Sequence, residues 1–108
     1  MGYTARQVES SIFIGRDDVE HLEELLEEQH GWEFFGNERG DITEINFIAD
    51  KPMEKDIEVL KSIARYAKED SFVELVGEDG FRWRWTIKGG EVWEMRPDIK
   101  WKTFCGPL

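Results

Sequence analysis

Cysteine is almost missing from this 108-residue chain, with Cys105 the only one. A single thiol excludes an intramolecular disulfide and a thiolate metal cluster, and it fits a reducing, cytoplasmic setting. Long apolar runs are also missing. No stretch approaches the roughly 18 residues needed to span a bilayer, and Met1 to Glu20 lacks a basic start followed by an apolar run. Neither a membrane span nor a signal peptide is therefore expected. Positive charge is scarce: 14 Lys and Arg stand against 24 Asp and Glu, for a net charge of −10. Phosphates repel such a chain, so direct binding to nucleic acid or an anionic membrane is not expected. Walker loops, dinucleotide fingerprints and Gly-x-Ser-x-Gly elbows are absent, and with them the usual marks of a bound cofactor or a catalytic nucleophile.

Large rings, by contrast, are plentiful, with five tryptophans and seven phenylalanines. A domain of this length buries a core without disulfides or metal, and this composition is not that of a disordered chain. The charge is lopsided. Residues 1–60 carry 16 acidic and 5 basic side chains, whereas residues 61–108 carry 8 and 9.

Hydrophobic periodicity sets the expected elements. Arg6 to Ile14, with Val8, Ile12 and Ile14 at even spacing, predicts a first strand. Asp17-x-x-Glu20 predicts a capped helix start, with Val19, Leu22, Leu25 and Leu26 at helical spacing and Gly31 as the stop. Trp32–Phe35 and Ile42–Ala49, separated by Gly36-Asn37-Glu38-Arg39-Gly40, predict a hairpin. A second helix is expected to open at Asp50-Lys51-Pro52, its stripe formed by Met53, Ile57, Leu60, Ile63, Ala64 and Ala67. A meander follows: Ser71–Val76, Phe81–Lys88 and Glu91–Arg96, with turns at Gly77–Gly80 and Gly89-Gly90.

A two-residue turn at Gly89-Gly90 places Lys88 opposite Glu91. It puts Trp83, Trp85, Ile87 and Val92 on one face and Arg82, Arg84, Thr86, Trp93 and Met95 on the other. The first face is expected under the helices, which leaves Trp93 and Met95 to be covered by something else. The expected fold is a single α+β domain over residues 1–108. It has one antiparallel or mixed sheet of five to six strands and two helices on one face.

Candidate chemistry is concentrated in the first helix. Asp17, Asp18, Glu20, Glu23, Glu24, Glu27 and Glu28 fall within twelve residues, and no Lys or Arg lies between Arg16 and Arg39. The bland account is a solvated, solubilising face. Like charges at i,i+4, however, cost roughly 0.2–0.5 kcal/mol a pair, so a helix tuned only for stability would intersperse lysines. A row of one sign suits steering towards a basic surface. Asp18-x-x-His21 and Glu27-x-x-His30 have the spacing of di-iron ligands, but such a site needs four facing helices, so no metal is expected. Cys105 has no nearby histidine base and is expected to be a spectator. Phe81-Arg82-Trp83-Arg84-Trp85 alternates arginine with rings, as base-stacking strands do. Inward periodicity explains the rings as core instead, with the arginines pairing with Glu91 or Glu94. Trp93, Met95 and Trp101 form an aromatic end suited to an interface, including one between identical subunits.

The segment from Trp85 to Trp101 (WTIKGGEVWEMRPDIKW), together with the opening Met1-Gly2-Tyr3, resembles small uncharacterised proteins of actinobacteria and their phages. The resemblance implies a bacterial or phage origin and brings no activity or site residues. Small phage inhibitors of host defence nucleases, anti-CRISPR proteins among them, work by mimicking the charge of DNA. A non-enzymatic inhibitor docking on a basic protein surface is therefore the first expectation. A self-assembling protein, or a nucleotide-binding domain built on the Arg82–Trp85 strand, is the alternative.

Overall fold

The computed structural model describes residues 3–28 and 31–97. Trp101, Phe104, Cys105 and His30 lie outside the described residues. Six strands are present: β1 (Ala5–Ser11), β2 (Trp32–Gly36), β3 (Ile42–Phe47), β4 (Phe72–Gly77), β5 (Arg82–Lys88) and β6 (Glu91–Met95). The helical parts are α1 (Arg16–Val19), a 3₁₀ turn at Glu20–Leu22, α2 (Glu23–Glu27) and α3 (Glu54–Ala64).

The strands form two sheets rather than the expected one, a four-stranded antiparallel sheet in the order β1-β4-β5-β6 and the hairpin β2-β3. The division has a visible cause. In β1 the register to β4 slips between Gln7 and Glu9, a bulge that bends the strand and spoils its outer ladder. Along the seam β1 and β3 still run side by side, but side chains do the bonding. The Gln7 amide donates to Ile45 O at 3.0 Å and Asn46 Oδ1 at 3.1 Å, and its Oε1 accepts the Phe47 N–H at 2.7 Å. Ser10 Oγ donates to Ile45 O at 3.0 Å. Backbone bonds flank the seam, from Ala5 N–H to Asp50 O at 2.9 Å at one end and, at the other, the two 2.9 Å bonds that Ile14 exchanges with Ile42.

Strand alternation places Leu75 and Val73 of β4 beside Trp83 and Trp85 of β5 on one buried face. Trp32 and Phe47 of the hairpin close over it, each ring centroid 6.1 Å from that of Trp85. Ile14, Ile45, Leu60, Ile63 and Leu75 are fully buried, each stabilising the fold by about 1.5–3 kcal/mol. The indole N–H groups of Trp32 and Trp85 are buried and find no acceptor among the described residues, which offsets part of that gain. Trp83 and Trp85 are thus core, as their period predicts, whereas Phe81 is exposed.

Several boundaries differ from expectation. The second helix starts at Glu54, after Met53, because Asp56 Oδ2 accepts the Met53 N–H at 2.8 Å. Pro52 therefore precedes the helix, and Met53 is exposed. Asp56 itself is buried and lies so close to Gly31 that a side chain there would strike its Oδ1. That close approach explains the glycine. Gly77 opens the expected turn, its carbonyl accepting the Gly80 N–H at 2.9 Å, but it has a second role. It belongs to β4, where the Tyr3 ring occupies the space a Cβ would need. Gly80, Gly89 and Gly90 do take positive φ, as their turns require.

Candidate partner-binding surface

The acidic segment is helical but broken. Gly15 is the N-cap and no side chain caps it, so Asp17 and Asp18 occupy the first turn instead of opening the helix. Carboxylates there face the positive end of the backbone dipoles, a favourable place for them. The chain tightens at Glu20–Leu22, and Leu22 adopts φ −112° and ψ 0° before α2 begins. A run of like charges gives this stretch no i,i+4 support, so inward contacts are what hold it along its length. Leu22 is buried, and Val19, Leu25 and Leu26 pack partly against the core.

The start of the segment is anchored by the β2–β3 loop. Asn37 Oδ1 accepts the N–H groups of Arg39 and Asp41 at 3.0 Å each, shaping a tight loop. Asp41 Oδ1 then accepts the Arg16 N–H at 2.8 Å. The Asn37 side chain, donating to Asp41, and that Arg16 N–H hold the Asp41 carboxyl below its ordinary pKa. A hollow of about 440 Å³ lies here, lined by Arg16, Asp17, Asp18, Arg39 and Asp41 among others. Sequence reading missed this loop as part of the surface, although Asn37-x-x-Gly40-Asp41 directly after Gly36 is the signal for it.

Asp17, Glu20, Glu23, Glu24, Glu27 and Glu28 are exposed, and Asp18 is half-buried. Among the described residues the one ion pair touching any of them joins Arg16 Nε to Asp17 Oδ1 at 4.0 Å. Both side chains are largely solvated, and such a pair contributes little. The carboxylates thus stand together and un-neutralised. Nearby cations lie at the margins: Arg16 and Arg39 at one end, and Arg65, whose guanidinium sits 5.5 Å from the Tyr66 ring. His21, within the segment, stacks on that ring at 5.8 Å.

Trp93 and Met95 do not join this surface. They lie on the opposite, outer face of the four-stranded sheet, 53% and 42% exposed. The arginines of that face are already engaged, though with partners other than those expected. Arg84 Nε meets Glu74 Oε1 at 2.7 Å, its Nη2 meets Glu9 at 3.6 Å, and its guanidinium lies 4.0 Å from the centre of Phe72. Arg82 reaches Glu74 at 3.4 Å. Glu91 faces Lys88 across the turn, as expected, and Glu94 pairs with Arg96. With Trp83 and Trp85 buried, β5 offers no alternating platform for bases.

No helix among the described residues is long and apolar enough to cross a membrane. Comparison with protein-family models, curated proteins and solved structures finds no match to this chain. What the geometry defines is an α+β protein whose segment 17–28 carries six exposed carboxylates.

Proposed function

We propose that this chain is a non-enzymatic binding protein whose acidic segment, Asp17 to Glu28, docks on a basic protein surface. The observation that carries the reading is the row of six exposed carboxylates with a single weak ion pair among them. Self-repulsion within such a row costs stability, and the field it projects raises the rate of encounter with positive surfaces. Cationic surfaces shaped to accept rows of negative charge are those that bind nucleic acid. The partner is accordingly a nucleic-acid-handling protein, and the chain acts as a charge mimic that occupies its binding groove. A phage-type inhibitor of a cytoplasmic defence complex is the role of this kind that fits a small acidic domain.

The test is capture from a bacterial lysate by the chain and, in parallel, by the Glu20→Lys/Glu24→Lys/Glu27→Lys variant. The reading expects a partner retained only by the parent chain and displaced by duplex DNA. A partner held equally by both, and indifferent to DNA, contradicts it.

A further inference from the structure

The outer edge of β6 has the geometry for a strand that is not among the described residues. Ile87 donates to Ser71 O at 2.8 Å, and its own carbonyl accepts the Asp70 N–H at 2.9 Å, so its peptide groups face β4. Alternation along β5 then turns those of Arg84, Thr86 and Lys88 towards β6, onto Met95, Trp93 and Glu91. Gly89 and Gly90, with φ of 60° and 76°, make the mirror-image turn that fixes this register. It follows that Val92 and Glu94 point their N–H and C=O groups away from β5. Beside them runs a hollow of about 440 Å³ lined by Lys61 of α3 with Gly90, Glu91, Val92 and Trp93.

We propose that this edge pairs with the β6 edge of a second copy, antiparallel about a two-fold axis at Trp93. The pairing joins two four-stranded sheets into one of eight strands. In that register Val92 of each copy stands opposite Glu94 of the other, and the four outward peptide groups exchange four hydrogen bonds. Glu91 faces Met95, so no like charges are opposed. The two Trp93 rings, each 53% exposed alone, meet side by side on the outer face at the close, non-hydrogen-bonded pair.

Charge complementarity selects a second copy as the occupant. Glu94 lies on the Val92 side of β6, so the Glu94 of one copy enters the hollow of the other, against Lys61. Among the described residues Lys61 has only an exposed pair with Glu58 at 3.3 Å. Glu94 has among them only Arg96, two residues on, at 3.1 Å. Two-fold symmetry makes the Lys61–Glu94 pair twice.

The experiment is analytical ultracentrifugation of the full chain from micromolar to near-millimolar concentration, with hydrogen exchange read at Val92 and Glu94. A concentration-dependent dimer is expected, with both amides protected only where the dimer is populated. Glu94→Lys sets two lysines against each other at both ends and weakens the dimer about tenfold or more. Adding Lys61→Glu to it restores association. Both positions are exposed, so neither change threatens the fold. A monomer at every concentration overturns the proposal, including one whose Val92 and Glu94 amides are protected by other residues of the same chain. A dimer indifferent to Glu94→Lys overturns it equally, because the copies then meet elsewhere.

Discussion

Replacing Gln7 with methionine keeps the length of the side chain and removes the amide that joins the two sheets. Three hydrogen bonds vanish: two donated, to Ile45 O and Asn46 Oδ1, and one accepted from the Phe47 N–H. Ile45 O keeps the Ser10 hydroxyl, so the group left orphaned is the N–H of Phe47, a buried residue. An orphaned buried donor costs about 1–3 kcal/mol, and each of the other two bonds contributes about 0.5–1.5 kcal/mol net, for roughly 2–6 kcal/mol in all. With a urea slope of about 2 kcal/mol per molar, the unfolding midpoint should fall by roughly 1–3 M. Gln7→Glu keeps an acceptor for Phe47 but loses the donor, and should fall between the two. Faster amide exchange at Phe47 in Gln7→Met would locate the damage at the seam. A midpoint within about 0.3 M of the parent chain would refute the idea that this one amide stands in for a missing ladder.

Gly31→Ala drives a Cβ into Asp56 Oδ1, so the carboxylate must leave the Met53 N–H and the start of α3 loses its cap. The expected cost is about 1–2 kcal/mol in denaturant unfolding, and an unchanged midpoint would show that the cap is idle. The Tyr3 hydroxyl donates to Asp79 at 2.6 Å, a bond that pushes the phenol up to about 12 and holds the Asp79 carboxyl down. The anchor is therefore at full strength between an Asp's ordinary 3.8 and a Tyr's ordinary 10.0. It is lost as pH falls through the lowered Asp79 value, and again as pH rises through that of Tyr3. Asp79→Asn, or Gly77→Ala, which displaces the ring, should return the Tyr3 titration towards 10.0 by ultraviolet absorbance. A Tyr3 that still titrates near 12 in both variants contradicts the assignment.

Periodicity made much of this legible. The Trp83–Trp85 face, the Lys88–Glu91 pairing and the hairpin at Gly36–Gly40 all follow from alternation and turn chemistry, which are local. The seam was not legible, because a glutamine that replaces a ladder looks like any polar residue in a half-buried strand. The break at Glu20–Leu22 was hidden for a similar reason. Apolar spacing marks which residues turn inward, but continuous helix also needs support along its outer face, and seven carboxylates supply none. Asp17-x-x-Glu20 misled because Gly15, held through its neighbour Arg16 by Asp41, set the start from a loop distant in sequence. The arginines of β5 pair with Glu74 and Glu9 rather than with β6 because the register sets Glu74 of β4 directly opposite Arg84, whereas the β6 residue opposite it is Met95. Strand order and register decided that, and the sequence pattern does not contain them. Leu22 is nevertheless buried, as its spacing predicts, and six of the seven carboxylates around it are exposed.

The most direct measurement is the association rate of the chain with its captured partner, followed against ionic strength for the parent and for Glu20→Lys/Glu24→Lys/Glu27→Lys. Steering by the carboxylate row predicts a parent rate that drops about tenfold or more between low and high salt. The reversed chain should be slow throughout and nearly flat. Equal rates for the two chains, unmoved by salt, would contradict the claim that the acidic surface chooses the partner.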